Sequence, residues 1–251
     1  ALERLAIGGP SGFANRLPLS VQGMADLLLL IALASALAGR SLAQAVRAVL
    51  AALAAGDLPL ARQRLSWIVG RDSDRLDSPE ILRAAAETAS ENAVDGLFAP
   101  LFWMLLGAGF WSAGFTQAPG PLALAWGFKA SSTLDSMLGY RRGRLHWLGT
   151  AGARLDDLLV WLPCRLVLLS LPLAAGLGLV GWWQAATGAR RDGASDPSPN
   201  AGRSQAIYAH CLGVQLGGLN HYQGQARLKP LLAAGCPAPD AAAVERMLQL
   251  S

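Results

Sequence analysis

The chain has 251 residues, 53% of them hydrophobic and only 15% charged, with a formal net charge of +4 and a mean hydropathy of +0.34. A soluble domain carries about 25% charged residues, so this composition is short of polar surface and points to a membrane protein. The basic residues cluster between apolar runs and form no Lys-rich stripe with interleaved aromatics, which argues against nucleic acid as a partner. Cys164, Cys211 and Cys236 are too scattered for a disulfide framework or a zinc site.

No cleavable signal peptide is evident, because a polar stretch precedes the first apolar run. That run, residues 21–38, carries one charge, Asp26, and is long enough for a crossing. Residues 41–55 form an Ala-rich amphipathic stretch closed by Gly56. Asp57 predicts the N-cap of a short helix reaching Val69, and Ser78, Pro79 and Glu80 predict another helix start. Residues 97–115 are free of charge and are the clearest span.

The turn at 117–121 has no basic residue, whereas 40–83 and 129–154 are rich in arginine. The positive-inside rule therefore puts the turn outside and the basic segments in the cytoplasm. The chain returns through 122–140, where Lys129 and Asp135 form either a buried pair or a functional one. Residues 158–186 are apolar but interrupted by Arg165, Pro172, Gly176 and Gly178. A helix of that length extends roughly 43 Å, enough for one tilted crossing. A single crossing would put the arginine-bearing segment 187–202 outside, against its charge. Either the stretch breaks at Pro172 into a re-entrant hairpin, or the number of spans differs. Pro230, Pro237 and Pro239 punctuate the tail, which a short helix closes.

The expected fold is all-α: a single polytopic integral membrane domain over 1–251. Its spans lie at about 21–38, 97–115, 122–140 and 158–186, with amphipathic cytoplasmic-side helices and polar motif segments at 67–96, 141–157 and 187–224.

Glu87, Glu91 and Asp95 follow at i, i+4 and i+8, so a helix aligns them on one face. Like charges so placed repel by a few tenths of a kcal/mol per pair. A cation against that face would remove the penalty, while the plainer reading is a solvated helix face. Five polar clusters recur at the edges of apolar runs: Arg71 to Asp77, Glu87 to Gly96, Lys129 to Tyr140, Arg154 to Asp157 with Trp161 to Arg165, and Arg191 to Gly224. Four of the five combine cations with carboxylates, and Glu87 to Gly96 carries carboxylates alone; together they offer hard oxygens for Mg²⁺ beside groups suited to phosphate. No P-loop or dinucleotide glycine motif accompanies them. The glycines between Gly213 and Gly224 either bring backbone amides to an anion or permit close helix packing. His146, His210 and His221 lack metal-motif companions and are expected to be structural.

WIVGRDSDRLD (67–77), ETASENAVDGLFAPLF (87–102), KASSTLDSMLGY (129–140), ARLDDLLVWLPCR (153–165), SPNAG (198–202) and GVQLGGLNHYQG (213–224) occur in this order. The series resembles the adenosylcobinamide-phosphate synthase family, the membrane-bound amide ligase of cobalamin biosynthesis. The family's opening GDP…HP segment has no counterpart here. Asp196 stands where a His commonly precedes SPNAG, and Arg203 and Gln205 replace a usual aromatic and acid.

The resemblance implies ATP-dependent joining of aminopropanol, or its O-phosphate, to the propionate of adenosylcobyric acid. It implies a bacterial cytoplasmic (inner) membrane location with the active site on the cytoplasmic side, and Mg²⁺ and ATP as cofactor and co-substrate. On this reading Glu87, Glu91 and Asp95 hold the metal, and with Lys129, Asp135, Arg154, Asp156 and Asp157 form the catalytic set. Arg71, Asp72, Asn92, Arg191, Asn200, Gln215 and Asn220 bind phosphate and substrate amides. Expected partners are the corrinoid, the amino-alcohol, membrane lipid, and either a second copy or other corrinoid-pathway proteins. The clusters are expected to share one pocket at a single bilayer rim. Two competing expectations are a non-catalytic membrane sensor or regulator on the same fold, and a small transporter built around Asp26, Lys129, Asp135 and Arg165.

Overall fold

The computed structural model describes residues 19–138 and 146–251. The end of the expected 122–140 span, the last residues of KASSTLDSMLGY and positions 141–145 of the next motif segment lie outside the described residues. Ten α-helices and one hairpin follow in the described chain: α1 (Leu19–Ser35), α2 (Gly39–Ala54), α3 (Leu58–Ser66), α4 (Ser78–Ala93), α5 (Ala99–Ser112), α6 (Pro121–Leu138), α7 (His146–Ala174), α8 (Leu179–Asp192), α9 (Ala201–Leu212), β1 (Leu216–Tyr222), β2 (Gln225–Leu232) and α10 (Ala241–Gln249). A π-turn, Val94–Phe98, joins α4 to α5.

Two helical runs, Ser78–Ser112 and Trp147–Ala174, are long and apolar enough to cross a membrane, and the bent pair Gly23–Ser35 and Gly39–Ala54 makes a third if it counts as one span. This marks the chain as a membrane protein. The expected span at 122–140 is a helix, α6, but it is not among those runs. The 158–186 stretch does not break at Pro172. Helix α7 accommodates both Pro163 and Pro172 and ends at Ala174. The chain turns at Gly176, whose φ is +74°. Helix α8 then packs on α9 through buried Ala185, Ala186 and Ala189.

The chain divides into two compact units, one of residues up to Ala38 with Gly96–Leu159, the other of Gly39–Asp95 with Val160–Ser251. In the first, α5 and α6 pack so closely that a Cβ on Gly107 would lie 2.6 Å from the Gly120 carbonyl carbon. Indole N–H groups tie off helix carbonyls: Trp126 donates to Ala32 O at 3.0 Å and Trp103 to Leu159 O at 3.1 Å. This is how amphipathic tryptophan satisfies its one donor in an apolar setting.

The second unit has a conventional core of Val46, Val49, Leu65, Ile81, Ile207, Tyr208, Leu216, Val244 and Met247, all buried. Its helix starts follow sequence chemistry. The Asp57 side chain accepts from Leu60 N at 2.9 Å, capping α3 as expected. Helix α4 is capped by Asp77, one residue before the expected start. Asp77 accepts from Glu80 N at 2.9 Å while Glu80 accepts from Asp77 N at 3.0 Å, a reciprocal capping box.

The all-α expectation is corrected by the antiparallel β1–β2 hairpin, with Tyr222 opposite Gln225. Gln223 and Gly224 both have positive φ, 55° and 75°, the backbone a two-residue hairpin turn needs to match strand twist. Gly217, at φ +84°, lies where a Cβ would overlap the Pro230 carbonyl oxygen. Gly213 caps the end of α9 in the left-handed conformation, and Gly217, Gly218 and Gly224 serve the strand and its turn, so the helix-packing alternative falls.

Candidate functional site

The second unit is organised around Glu87, which is 1% exposed. The capping box fixes where α4 begins, and this sets Arg83 and Glu87 one turn apart on its packed side. Arg71, from the loop after α3, donates through Nη2 to Glu87 Oε2. Arg83 Nη1 stands 3.5 Å from Glu87 Oε1, and Gly217 N donates to the same oxygen at 2.8 Å. Both guanidiniums also reach Asn220 Oδ1, Arg71 at 2.7 Å and Arg83 at 3.1 Å. Arg83 further donates to Gly217 O at 2.6 Å and Leu219 O at 2.9 Å. One carboxylate and two arginines therefore fasten β1 to α4. Asn220 Nδ2 is buried and makes no hydrogen bond among the described residues.

One turn further along α4, Glu91 Oε2 accepts from Gln205 Nε2 of α9 at 2.6 Å. Lys229 of β2 belongs to this neighbourhood. Burial works to lower its ammonium, but the charges of Glu91 first, then Tyr222, Asp196 and Glu87, hold it above the usual lysine value. Asp95 lies in the π-turn, where the wider helical repeat departs from the α-helical row.

The carboxylate row does not form a metal centre. Glu87 is neutralised by arginine and Glu91 is held by an amide, and among the described residues no three His, Cys, Asp or Glu side chains come together as ligands. The row therefore offers Mg²⁺ no three-carboxylate site among the described residues.

Beside this network lies a cavity of about 570 Å³ lined by Asp72, Asp74, Arg75, Leu76, Glu80, His221 and Gly224. Asp72 accepts from Gln223 N at 2.9 Å and Gly224 N at 2.7 Å, locking the hairpin turn. The amides of Gly224 and Gln223 draw its carboxyl below the usual range. Asn92 is exposed. Arg191 pairs through Nε with Asp192 at 2.9 Å, and Asp192 also meets His210 Nε2 at 2.8 Å and Ala233 N at 3.1 Å. Gln215 Oε1 accepts from Gly235 N at 3.0 Å. Asn200 is buried and its Oδ1 accepts from Arg165.

In the first unit Lys129 and Asp135 sit on α6, and Arg154, Asp156 and Asp157 on α7. The helices approach where Gly152 faces the Asp135 backbone, with a Cβ there 3.8 Å from Asp135 N. Asp156 lies within electrostatic reach of Asp135 and Asp157, and its Oδ1 is buried without a hydrogen bond among the described residues. The structure thus gathers Arg71, Glu87 and Asn220 in one unit and the three aspartates in the other.

Residues 5–251 match the family model described as CobD/Cbib protein. The chain belongs to that family. It is 51% identical over 212 residues to the cobalamin biosynthesis protein CobD of Synechocystis sp., covering 84% of this chain and 59% of that protein. It is 45% identical over 194 residues to the cobalamin biosynthesis protein CbiB of Salmonella typhi and to the CobD of Yersinia enterocolitica, covering 77% of this chain and 57% of each relative. This CobD/Cbib chain therefore spans less than two thirds of the length of these relatives. No solved structure matches it.

Three residues of this family member's network lie outside the sequence-derived site set: Arg83, Gln205 and Lys229. Arg83 had a readable signal, since it precedes Glu87 by four residues in a helix. Gln205 and Lys229 reach Glu91 from α9 and β2, and nothing local in their segments marks that.

Proposed function

We propose that this protein acts in cobalamin biosynthesis as an ATP-dependent amide ligase, joining aminopropanol or its O-phosphate to the propionate of adenosylcobyric acid. The observation that carries the reading is the family match over residues 5–251, whose relatives bear cobalamin biosynthesis names. The second unit adds support by packing the 67–77, 87–95 and 213–224 segments around one charged network. The reaction is placed on the cytoplasmic face of the bacterial inner membrane, where ATP is available.

A carboxylate resists attack by an amine, so it must first be activated. The propionate oxygen attacks the γ-phosphorus of ATP and ADP leaves, giving an acyl phosphate. The free amine nitrogen then adds to the acyl carbon and inorganic phosphate departs with the oxygen. The nitrogen's surplus proton passes to Asp156, in its carboxylate form, as general base. Asp135 and Asp157 attract the ammonium form of the amine before it loses its first proton to water.

Lys129 and Arg154 form no ion pair with the described residues, and they are assigned to the triphosphate. Asn92, Asn200, Gln215 and Asn220 are assigned to the amides of the corrin periphery, Asn220 through its unpartnered Nδ2. Magnesium would enter with the triphosphate and supply charge neutralisation there, since the Glu87–Glu91–Asp95 row offers it no ligand set. Arg71 and Glu87 act as positioning residues for β1.

Membranes carrying the protein, given adenosylcobyric acid, Mg·ATP and either amine, should yield a corrinoid heavier by the amine less one water, with ADP and phosphate. An unchanged corrinoid mass with both amines, from protein that is monodisperse in detergent, overturns the assignment.

A further inference from the structure

We propose that Arg165 and Arg203 form a phosphate-binding clamp over the Ser198–Gly202 turn, a site that uses none of the catalytic residues above and shares only Asn200 with the residues assigned to the corrin. Arg165 comes from α7 and Arg203 from the first turn of α9. Both guanidiniums converge on one backbone oxygen: Arg165 Nη2 donates to Pro199 O at 3.1 Å and Arg203 Nη1 to the same oxygen at 2.5 Å. Arg165 Nη1 is held by Asn200 Oδ1 at 2.5 Å and by Trp161 O at 3.0 Å. Two cations are thus fixed side by side on neutral acceptors. Neither has a carboxylate within 4.0 Å among the described residues.

Like charges at this spacing repel, and a neutral carbonyl does not cancel that repulsion. A bound dianion would. Each guanidinium has five N–H donors, and the contacts above leave the Nε of both residues and Nη2 of Arg203 uncommitted. Two such forks match the tetrahedral oxygens of a phosphate group, which Arg recognises in bidentate fashion.

The surroundings limit where that phosphate comes from. Arg165 lies 4.6 Å from the centroid of the Trp161 ring, and Trp161 is 50% exposed. Leu162, Leu166, Leu169 and Leu173 of the same helix are also exposed. Tryptophan and arginine beside an apolar helix face are what a membrane interface selects. The ligand is therefore a phosphate group, either free or carried on a lipid headgroup.

The intact protein in detergent is titrated with inorganic phosphate and pyrophosphate while thermal unfolding is followed. Separately, nanodiscs containing phosphatidylglycerol are used, and lipid retained after detergent extraction is counted by native mass spectrometry. Arg203→Gln and Arg165→Gln are compared with Arg246→Gln, which makes the same charge change on an exposed residue of α10. The clamp predicts a phosphate-dependent rise in unfolding temperature, or one retained anionic lipid, that falls at least tenfold in affinity or occupancy in both clamp variants. Arg246→Gln should keep it, and Arg203→Lys should keep part of it. A response to phosphate alone identifies a soluble ligand, and lipid retention alone identifies a headgroup. No response in either arm, or equal responses in Arg203→Gln and Arg246→Gln, overturns the proposal. If Arg165→Gln fails to fold, Arg203→Gln and Arg203→Lys still decide it. Amide-ligase activity is not the readout, so failure here leaves the proposed reaction untouched.

Discussion

Two pairs of arginines in the second unit invite comparison. Arg71 and Arg83 converge on a buried carboxylate, Glu87, whereas Arg165 and Arg203 converge on a backbone carbonyl. The first pair shares one carboxylate from within the chain, which offsets one of its two charges, and its side chains also bind strand β1. The second pair keeps its charge and is held in place by neutral groups. A cluster of arginines in a sequence does not distinguish these cases, because the deciding feature is the acceptor that folding brings to them. The first arrangement is a structural clasp, and the second has both charges left for a ligand.

Substituting Glu87 with Gln should break the clasp most severely. The amide fills the same space, but Arg71 and Arg83 would be left as uncompensated buried cations, at a cost of about 3–5 kcal/mol. Chemical or thermal unfolding of the intact protein in detergent measures it. A loss below about 1 kcal/mol, the range of an exposed ion pair, would mean that Glu87 does not hold the hairpin. Arg203→Gln should fall in that lower range, because it removes no partner from a buried charge.

Gln205→Ala comes next. It strips the amide from Glu91, and hydrogen bonds to charged groups contribute about 1.5–3 kcal/mol. The same unfolding measurement applies, with Lys229→Met as a companion. If Lys229 and Gln205 both stabilise the Glu91 carboxylate, the double variant should lose a different amount from the sum of the singles. Strict additivity would separate Lys229 from this cluster.

What the sequence disclosed of this region was its local part. Asp57 was readable as an N-cap, and the acid row was readable as one face of a helix. The row's partners were not, because they come from far along the chain: Gln205 is 114 residues from Glu91 and Gly217 is 130 residues from Glu87. Helical spacing carries no information about such contacts. Without them, three aligned acids resemble a cation site; after folding Glu87 is a clasp, Glu91 is its hydrogen-bonded neighbour, and Asp95 leaves the row in the π-turn. The hairpin was missed for a related reason. Its glycines fit helix packing as well as they fit positive-φ strand positions, and Gln223–Gly224 is a weaker turn signal than Asn-Gly. Arg83, at i–4 from Glu87, is legible from helical spacing alone.

Asp72 tests the hairpin from its turn, with a smaller effect that depends on pH. Its folded carboxyl is held below its ordinary value by the amides of Gly224 and Gln223. The unfolded chain therefore binds the proton more readily, and the stabilisation is fully present above the unfolded value of about 3.9. It is lost as pH falls through the lower folded value. Asp72→Asn should be less stable than the parent at pH 7, and the two should converge as pH drops below about 4. Amide exchange at Gln223 and Gly224 reports the same change locally. A difference that persists unchanged into acid would show that the carboxylate's charge is not what locks the turn.

The smallest effect is expected at Arg47, which meets Glu245 through Nη2 at 2.6 Å and Nε at 3.1 Å. The geometry is as good as that of the buried clasp and the pair also bridges distant elements, α2 and α10. Solvent makes the difference, because water and salt already stabilise both charges when the pair opens. Arg47→Ala should therefore leave the unfolding midpoint within measurement error at 0.15 M salt, with any difference fading at higher salt. Were it to match Glu87→Gln, burial would not be what separates the two sites, and the contrast between satisfied and unsatisfied arginines would have to rest on contact geometry alone.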